Sequence, residues 1–354
     1  MRKWWYQRIL MIIVLLVFVM GTGFGMDQIQ AKEEEQLVSN QYAESNMLIP
    51  GGAAIGIYME TEGILVLDTD EIECIDGKKY EPAKNIVKSG DYIVGINGKK
   101  VEKKSELVQV VNKLESEQVV LRLRRDGEVI NVKMKCVEVD NEKYKLGIWV
   151  KDNIQGLGTL TYLKANGEFG ALGHGIHDTD TEELIEISDG SVYEVNLVGV
   201  QKGKRGTPGG LEGVIIYNRY NKIGKIDDNT ENGITGKIEK VEKFSTEQEA
   251  LPMGRKEEIK IGKATILCTV NNKVEEYEIK IKNTDTYTSN VNKGIIIEIT
   301  DEKLLKLTGG IVQGMSGSPI IQDGKIVGAV THVLVNDPTR GSGIFIENML
   351  SAEE

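Results

Sequence analysis

Two short stretches carry residues able to break a peptide bond. The first is Gly314-Met315-Ser316-Gly317-Ser318-Pro319, inside GGIVQGMSGSPIIQDG (309–324). An apolar hairpin follows at once: PIIQ, an Asp323-Gly324 turn, then KIVGAVTHV. The stretch reads either as a polar loop between strands or as an elbow that presents a hydroxyl. Acyl transfer needs such a hydroxyl and two amides aimed at the developing oxyanion. Gly314 can turn its N–H inward because it has no Cβ to clash, and the Ser316 N–H supplies the second donor. Ser318 reads as a residue that shapes the turn.

A serine nucleophile needs a base. Only three histidines occur, His174, His177 and His332. His174, in Ala171-Leu172-Gly173-His174-Gly175, stands at a strand end ahead of a loop. Alone it reads as a satisfied turn residue; with the serine elbow present it is the expected base. His177, in HDTDTEE, reads as solvated. His332 ends the strand after the serine and reads as a substrate contact or as a polar strand-end residue. Several carboxylates could stand behind the base: Asp178, Asp180, Asp227, Asp228 and Asp301. Asp301 equally suits the N-cap or first turn of a helix over 301–307.

These groups must be held by residues 146–354, a series of short strands with turn signals. They include 157–163, 168–175, 213–218, 234–241, 258–270, 275–282 and 294–300, with one short helix closed by Gly309. Many strands with few helices predict a mainly β barrel or sandwich. Residues 48–138 read differently. GDYIVGINGKKV (90–101) is a strand and an Asn97-Gly98 turn. SELVQVVNKLE (105–115) has helical spacing behind Ser105 as N-cap, and 118–135 is a hairpin around Asp126-Gly127.

At the N-terminus, Arg2, Lys3 and Arg8 flank the apolar run Ile9–Met20, which continues weakly to Met26. Trp4, Trp5 and Tyr6 suit an interfacial anchor. Residues 1–26 therefore predict a signal or membrane anchor, and no convincing cleavage site follows. Residues 27–47 read as an acidic linker. The net charge of −11 and pI near 5.1 argue against nucleic acid as a partner. Cys74, Cys136 and Cys268 are scattered, without metal or disulfide spacing, and read as apolar thiols. No metal or organic cofactor is implied.

The segment GDYIVGINGKKV with its following helix and hairpin resembles a PDZ domain. That resemblance implies capture of a peptide C-terminus beside a sheet edge. By position it implies that Ile55, Gly56 and Ile57, in IPGGAAIGIYM, donate amides to the peptide carboxylate. The alternative is that these glycines only make a turn. The serine stretch is similar to the nucleophile loop of the two-barrel, chymotrypsin-like serine peptidases, with Ser318 where those carry a second glycine. On that pattern His174 and Ser316 come from opposite barrels.

Taken whole, the chain resembles the stage IV sporulation protein B peptidases of endospore-forming bacteria. The matching features are the basic-apolar N-terminus, LIPGG and GDYIVGING, ALGHGIHD, and the run from TGGIVQGMSGSP to the end. A PDZ domain ahead of the peptidase separates this pattern from the trimeric HtrA-type peptidases, where it follows. The resemblance implies a catalytic set of Ser316, His174 and Asp301. It implies a membrane-associated serine endopeptidase located between the two forespore membranes. There it would cleave itself and a membrane-bound regulatory protein, and so release late sigma-factor activation. The rival expectation is an inactive PDZ scaffold at the membrane.

Overall fold

The computed structural model describes residues 46–140, 143–179, 181–240 and 248–351. The chain divides into two units, Met1–Met47 and Leu48–Glu354, and the second holds everything described below apart from the first residue of β1. The expected anchor and nearly all of the expected linker lie outside the described residues. Among the described residues no helix is long and apolar enough to cross a membrane.

The strands that matter begin with β1 (Met47–Pro50), β2 (Ala54–Thr69), β3 (Tyr92–Ile96), β4 (Gln118–Arg125), β5 (Glu128–Lys135) and β6 (Ile148–Leu163). They continue with β7 (Glu168–Ala171), β8 (Ile187–Gln201), β9 (Gly210–Ile215), β10 (Lys222–Thr230) and β11 (Gly233–Ile238). Antiparallel pairings run β2–β6, β6–β7, β7–β11, β11–β10, β10–β8 and β8–β2. These close a six-stranded barrel, and closure removes the unpaired edges a flat sheet would expose. Alternation in AIGIYME turns Ile55, Ile57 and Met59 inward, where they pack with Phe169, Val192 and Ile234.

This placement corrects one expectation. Ile55, Gly56 and Ile57 pair on one side with Gly158, Leu157 and Gly156 and on the other with Glu194, Tyr193 and Val192. Their backbone lies between two strand neighbours, and Ile55 and Ile57 are buried. No peptide carboxylate can reach those amides, so the residues are barrel staves rather than a binding loop.

Past Thr61 the same strand leaves the barrel and joins an α+β lobe. Ile64 and Leu65 pair with β3, β3 pairs with β4, and β4 with β5. Helix α1 (Lys104–Val111) drops Leu107 and Val111 onto Ile64, Ile93 and Leu121. The helix begins one residue before Ser105, because carboxylates satisfy its leading amides. Asp152 of β6 accepts from Lys104 N at 2.8 Å, and Glu106 reaches back to accept from the N-cap Lys103 N at 3.3 Å. The aspartate of GDYI is structural: Asp91 is buried and takes a bidentate pair from Arg125 Nε and Nη2, both at 2.6 Å. The expected boundary between 138 and 146 therefore does not separate barrel from lobe, since β2 and β6 run through both.

The second barrel uses β12 (Gly262–Thr269), β13 (Val274–Thr284), β14 (Ile295–Ile299), β15 (Pro319–Gln322), β16 (Lys325–Leu334) and β17 (Asp337–Phe345). These close in the order β12-β13-β14-β17-β16-β15 around Ile266, Ile279, Ile297, Ile320 and Val330. Helix α2 (Glu302–Thr308) follows β14 and stops at Gly309, whose φ of 75° forms a left-handed cap. The cysteines are unpaired, with Cys136 and Cys268 buried. Burial pushes the Cys136 thiol up to about 11.

Candidate active site

The serine loop joins α2 to β15 at the seam between the barrels. Of its two serines, Ser318 is buried; its hydroxyl donates to the Met315 carbonyl at 2.7 Å, and so closes the turn. Ser316 is half-buried, and its hydroxyl donates to the Thr331 carbonyl at 2.7 Å. Thr331 is the extra residue of a bulge in β16, between Val330 paired to Gly343 and His332 paired to Ser342. Bulges re-aim side chains in this way beside reactive centres.

The loop also supplies the two expected donors. Gly314 has φ 96°, a conformation open to glycine and strained for other residues. The carbonyl on the far side of its peptide bond, that of Gln313, accepts from Leu211 N of β9 at 2.9 Å. That bond turns the Gly314 N–H away from the loop body. Neither Gly314 N nor Ser316 N meets an acceptor among the described residues. The two amides are thus available to a developing oxyanion.

One residue of β6 ties both halves together. Thr159 is buried; its hydroxyl donates to the Gly314 carbonyl at 2.7 Å and its N–H to the Ser316 carbonyl at 3.0 Å. Its own carbonyl accepts from Leu172 N at 3.2 Å. Gly317 packs so closely here that a Cβ would collide with the Thr159 carbonyl and the Leu172 amide. Nothing in GLGTLTYL marks Thr159 as functional. Only the meeting of the barrels shows it.

The imidazole arrives from the other side. After β7 the chain turns through Leu172 and Gly173, with φ 70° and 72°. A left-handed leucine costs about 1–3 kcal/mol and persists where surroundings over-determine it; here the Thr159 carbonyl and a buried side chain do so. His174 Nδ1 lies 2.8 Å from the Gly175 carbonyl. A carbonyl only accepts, so Nδ1 carries the hydrogen and Nε2 keeps the lone pair. Burial lowers the His174 pKa, the nearby His177 adds to that, and the Gly175 bond opposes it. The ring lies 5.0 Å, centroid to centroid, from that of His332, the neighbour of Thr331. Packing and then the His174 imidazole push His332 down to about 4, a shift that solvent partly screens because the ring is exposed.

Asp301 does not join this group. It caps α2: Oδ1 accepts from Leu304 N at 2.9 Å, and Oδ2 from Glu278 N of β13 at 3.4 Å. The free amides of the helix start hold the carboxylate at the β13–β14 end of the second barrel. The group behind His174 is the Gly175 carbonyl. Asp178 is buried and paired with Lys151. Asp227 is exposed beside Lys225, Asp228 is exposed in β10, and Asp180 lies outside the described residues. His177 is exposed, with Nε2 3.2 Å from Glu231 and Nδ1 3.2 Å from the Gly175 carbonyl.

The lobe carries a different surface from the one expected. Among the described residues, Ile148 to Val150 of β6 pair with β2 on one side only. Their other side faces α1 across a groove of about 560 Å³ lined by Leu107, Val108, Val111, Leu146, Ile148 and Trp149. Gly147, at φ 67°, turns the chain into that strand. The signal in the sequence is KLGIWV.

A half-buried hydroxyl, an imidazole with its Nε2 lone pair, and two unused amides meet where two six-stranded barrels touch. Fold and site together define a serine peptidase of the double-barrel class. Residues 142–350 match the model described as SpoIVB peptidase S55, and the chain belongs to that family of serine endopeptidases. No curated protein matches the chain. Among solved structures, the HtrA-type protease AlgW with a decapeptide is similar at 12% identity and TM-score 0.32, over 57% of this chain and 52% of that one. A second AlgW complex scores 0.36 at 12% identity, over 85% and 62%. The active form of the Rv3671c protease from M. tuberculosis scores 0.34 at 11% identity, over 56% and 72%. The chain thus spans about half the length of the first AlgW structure.

Proposed function

We propose that this chain is a membrane-associated serine endopeptidase that cleaves itself and a membrane-bound regulatory protein, triggering late sigma-factor activation during sporulation. The observation that carries the chemistry is the seam: Thr159 binds the serine loop and the histidine-bearing turn at once. The family match supports the sporulation role, and the basic-apolar N-terminus supports export to the space between the forespore membranes.

The reaction follows from the geometry. In the resting arrangement the Ser316 hydroxyl donates to Thr331, and substrate binding turns it toward His174 Nε2. The serine oxygen attacks the peptide carbonyl while Nε2 takes its proton. The Gly314 and Ser316 amides hold the oxyanion, and the Gly175 carbonyl keeps Nδ1 protonated and stabilises the imidazolium. The proton then passes to the leaving amine, and water releases the acyl group by the same steps. The groove between α1 and β6 takes over the peptide-binding role first placed on Ile55–Ile57. A C-terminal segment, from a partner or from this chain, adds as a strand beside Ile148–Val150.

The test is labelling of the purified full chain with a fluorescent fluorophosphonate, together with self-cleavage on storage. Both should occur in the native chain and vanish in Ser316→Ala. Absence of labelling in the native chain over a range of pH, with the fold intact, would favour the inactive scaffold.

A further inference from the structure

Two basic side chains, His332 and Lys293, stand on the segments next to Ser316. His332 is exposed at the end of β16, directly after the residue whose carbonyl holds the Ser316 hydroxyl. Its ring lies 5.0 Å from that of His174. Lys293 ends the 3-10 turn Val291–Lys293, which is pinned to the same bulge: the Thr331 hydroxyl donates to the Asn292 carbonyl at 2.6 Å. Lys293 is exposed and forms no ion pair among the described residues. The titratable groups acting on His332 among the described residues are His174, Lys293 and His177, with no carboxylate. An unpaired basic wall with low-dielectric protein behind it attracts an anion.

Resting on the peptidase reading, the geometry points to a further role: His332 and Lys293 read an acidic side chain of the substrate next to the scissile bond. Val330 still bonds to Gly317 and Ser318 of the serine loop, and the Thr331 carbonyl takes the Ser316 hydroxyl, but beyond them β16 has no strand partner on its β15 side among the described residues, so His332–Leu334 offers a free strand edge beside the nucleophile. An extended substrate laid along that edge advances roughly 3.3 Å per residue. A ring 5.0 Å from the catalytic imidazole is therefore reached by a side chain within two residues of the bond cut. Lys293 supplies the charge. His332 donates from a neutral imidazole N–H, so recognition does not require acid. Glutamate and aspartate fit this wall; lysine and arginine are repelled by it.

The test uses paired fluorogenic peptides that differ only by Glu or Gln, scanned through the three positions on each side of the scissile bond. The native chain should prefer Glu, at a position within two residues of the bond, by roughly tenfold in kcat/KM, the worth of one charge-assisted hydrogen bond. The preference should shrink in Lys293→Met and in His332→Gln, vanish in the double variant, and turn toward Lys peptides in Lys293→Glu. Equal rates for Glu and Gln at every position overturn the proposal, as does a preference that survives the double variant. Fluorophosphonate labelling of Ser316 in the native chain keeps this outcome distinct from failure of the peptidase reading.

Discussion

Replacing Thr159 by valine isolates one atom of the seam. Valine keeps the branched shape that suits a strand and leaves the backbone bonds to Ser316 and Leu172 in place. What disappears is the hydroxyl that donates to the Gly314 carbonyl at 2.7 Å. A hydrogen bond of this kind is worth about 0.5–1.5 kcal/mol net, and a buried carbonyl left without a donor costs roughly 1–3 kcal/mol. Gly314 carries one of the two oxyanion donors, so relaxation of that carbonyl moves the donor itself. At 1.36 kcal/mol per decade, a loss on the order of 1.4 kcal/mol predicts about a tenfold fall in kcat. KM should move by less than about twofold, because the hole acts on a charge absent from the bound substrate. The assay is steady-state cleavage of a fluorogenic peptide, with the labelling rate of Ser316 as a second measure, since the phosphonyl oxygen occupies the same hole. Thr159→Ser should recover most of the rate. The reasoning fails if Thr159→Val lowers thermal stability while kcat stays native, or if serine does not restore what valine removes.

Three further outcomes follow from the same geometry. Asp301→Ala should lower stability by about 1 kcal/mol through loss of the α2 cap, whereas Asp301→Asn, which caps equally well, should melt within a degree or two of the native chain. Equal losses in both would mean that the carboxylate charge, not the cap, holds that end of the barrel. His174 works as a base only when neutral, and burial lowers its pKa. The acidic limb of kcat/KM should therefore have its midpoint below the ordinary histidine value of about 6.5, and a midpoint at or above that value refutes the burial argument. Stability carries the same sign. With folded pKa values depressed, the unfolded chain takes protons first as the pH drops, so stability is full above about pH 6.5 and declines below it. For His332 that decline runs down to about pH 4, which urea melts across the range would follow.

Much of the site was legible without coordinates because its signals are local. A serine between glycines, an immediate hairpin and a strand-end histidine each depend on neighbouring residues alone, and in the structure Ser316 is half-buried, Gly314 has a positive φ and His174 follows a left-handed turn. The mainly β character, the hairpin at Asp126-Gly127 and the glycine stop at Gly309 follow from turn and cap chemistry for the same reason. Between the two serines of the loop, burial separates Ser318, whose hydroxyl closes the turn, from the half-buried Ser316.

What depends on distant pairing was not legible. IPGGAAIGIYM has the composition of a glycine loop, yet Gly56 lies within a barrel strand, where a Cβ on its outward side would collide with Ile215 of β9. One strand serving two lobes leaves no mark in local periodicity. Asp301 satisfied two readings in sequence, triad acid or helix cap, and only the positions of Leu304 N and Glu278 N decide for the cap. Thr159 was silent because its three bonds reach to residues 172, 314 and 316. The sequence by itself determined which groups can do chemistry and which turns present them, since those are properties of adjacent residues. The tertiary structure alone decided what holds them: barrel closure brings β6, the serine loop and the histidine turn within hydrogen-bond distance of one another, and no local rule encodes that meeting.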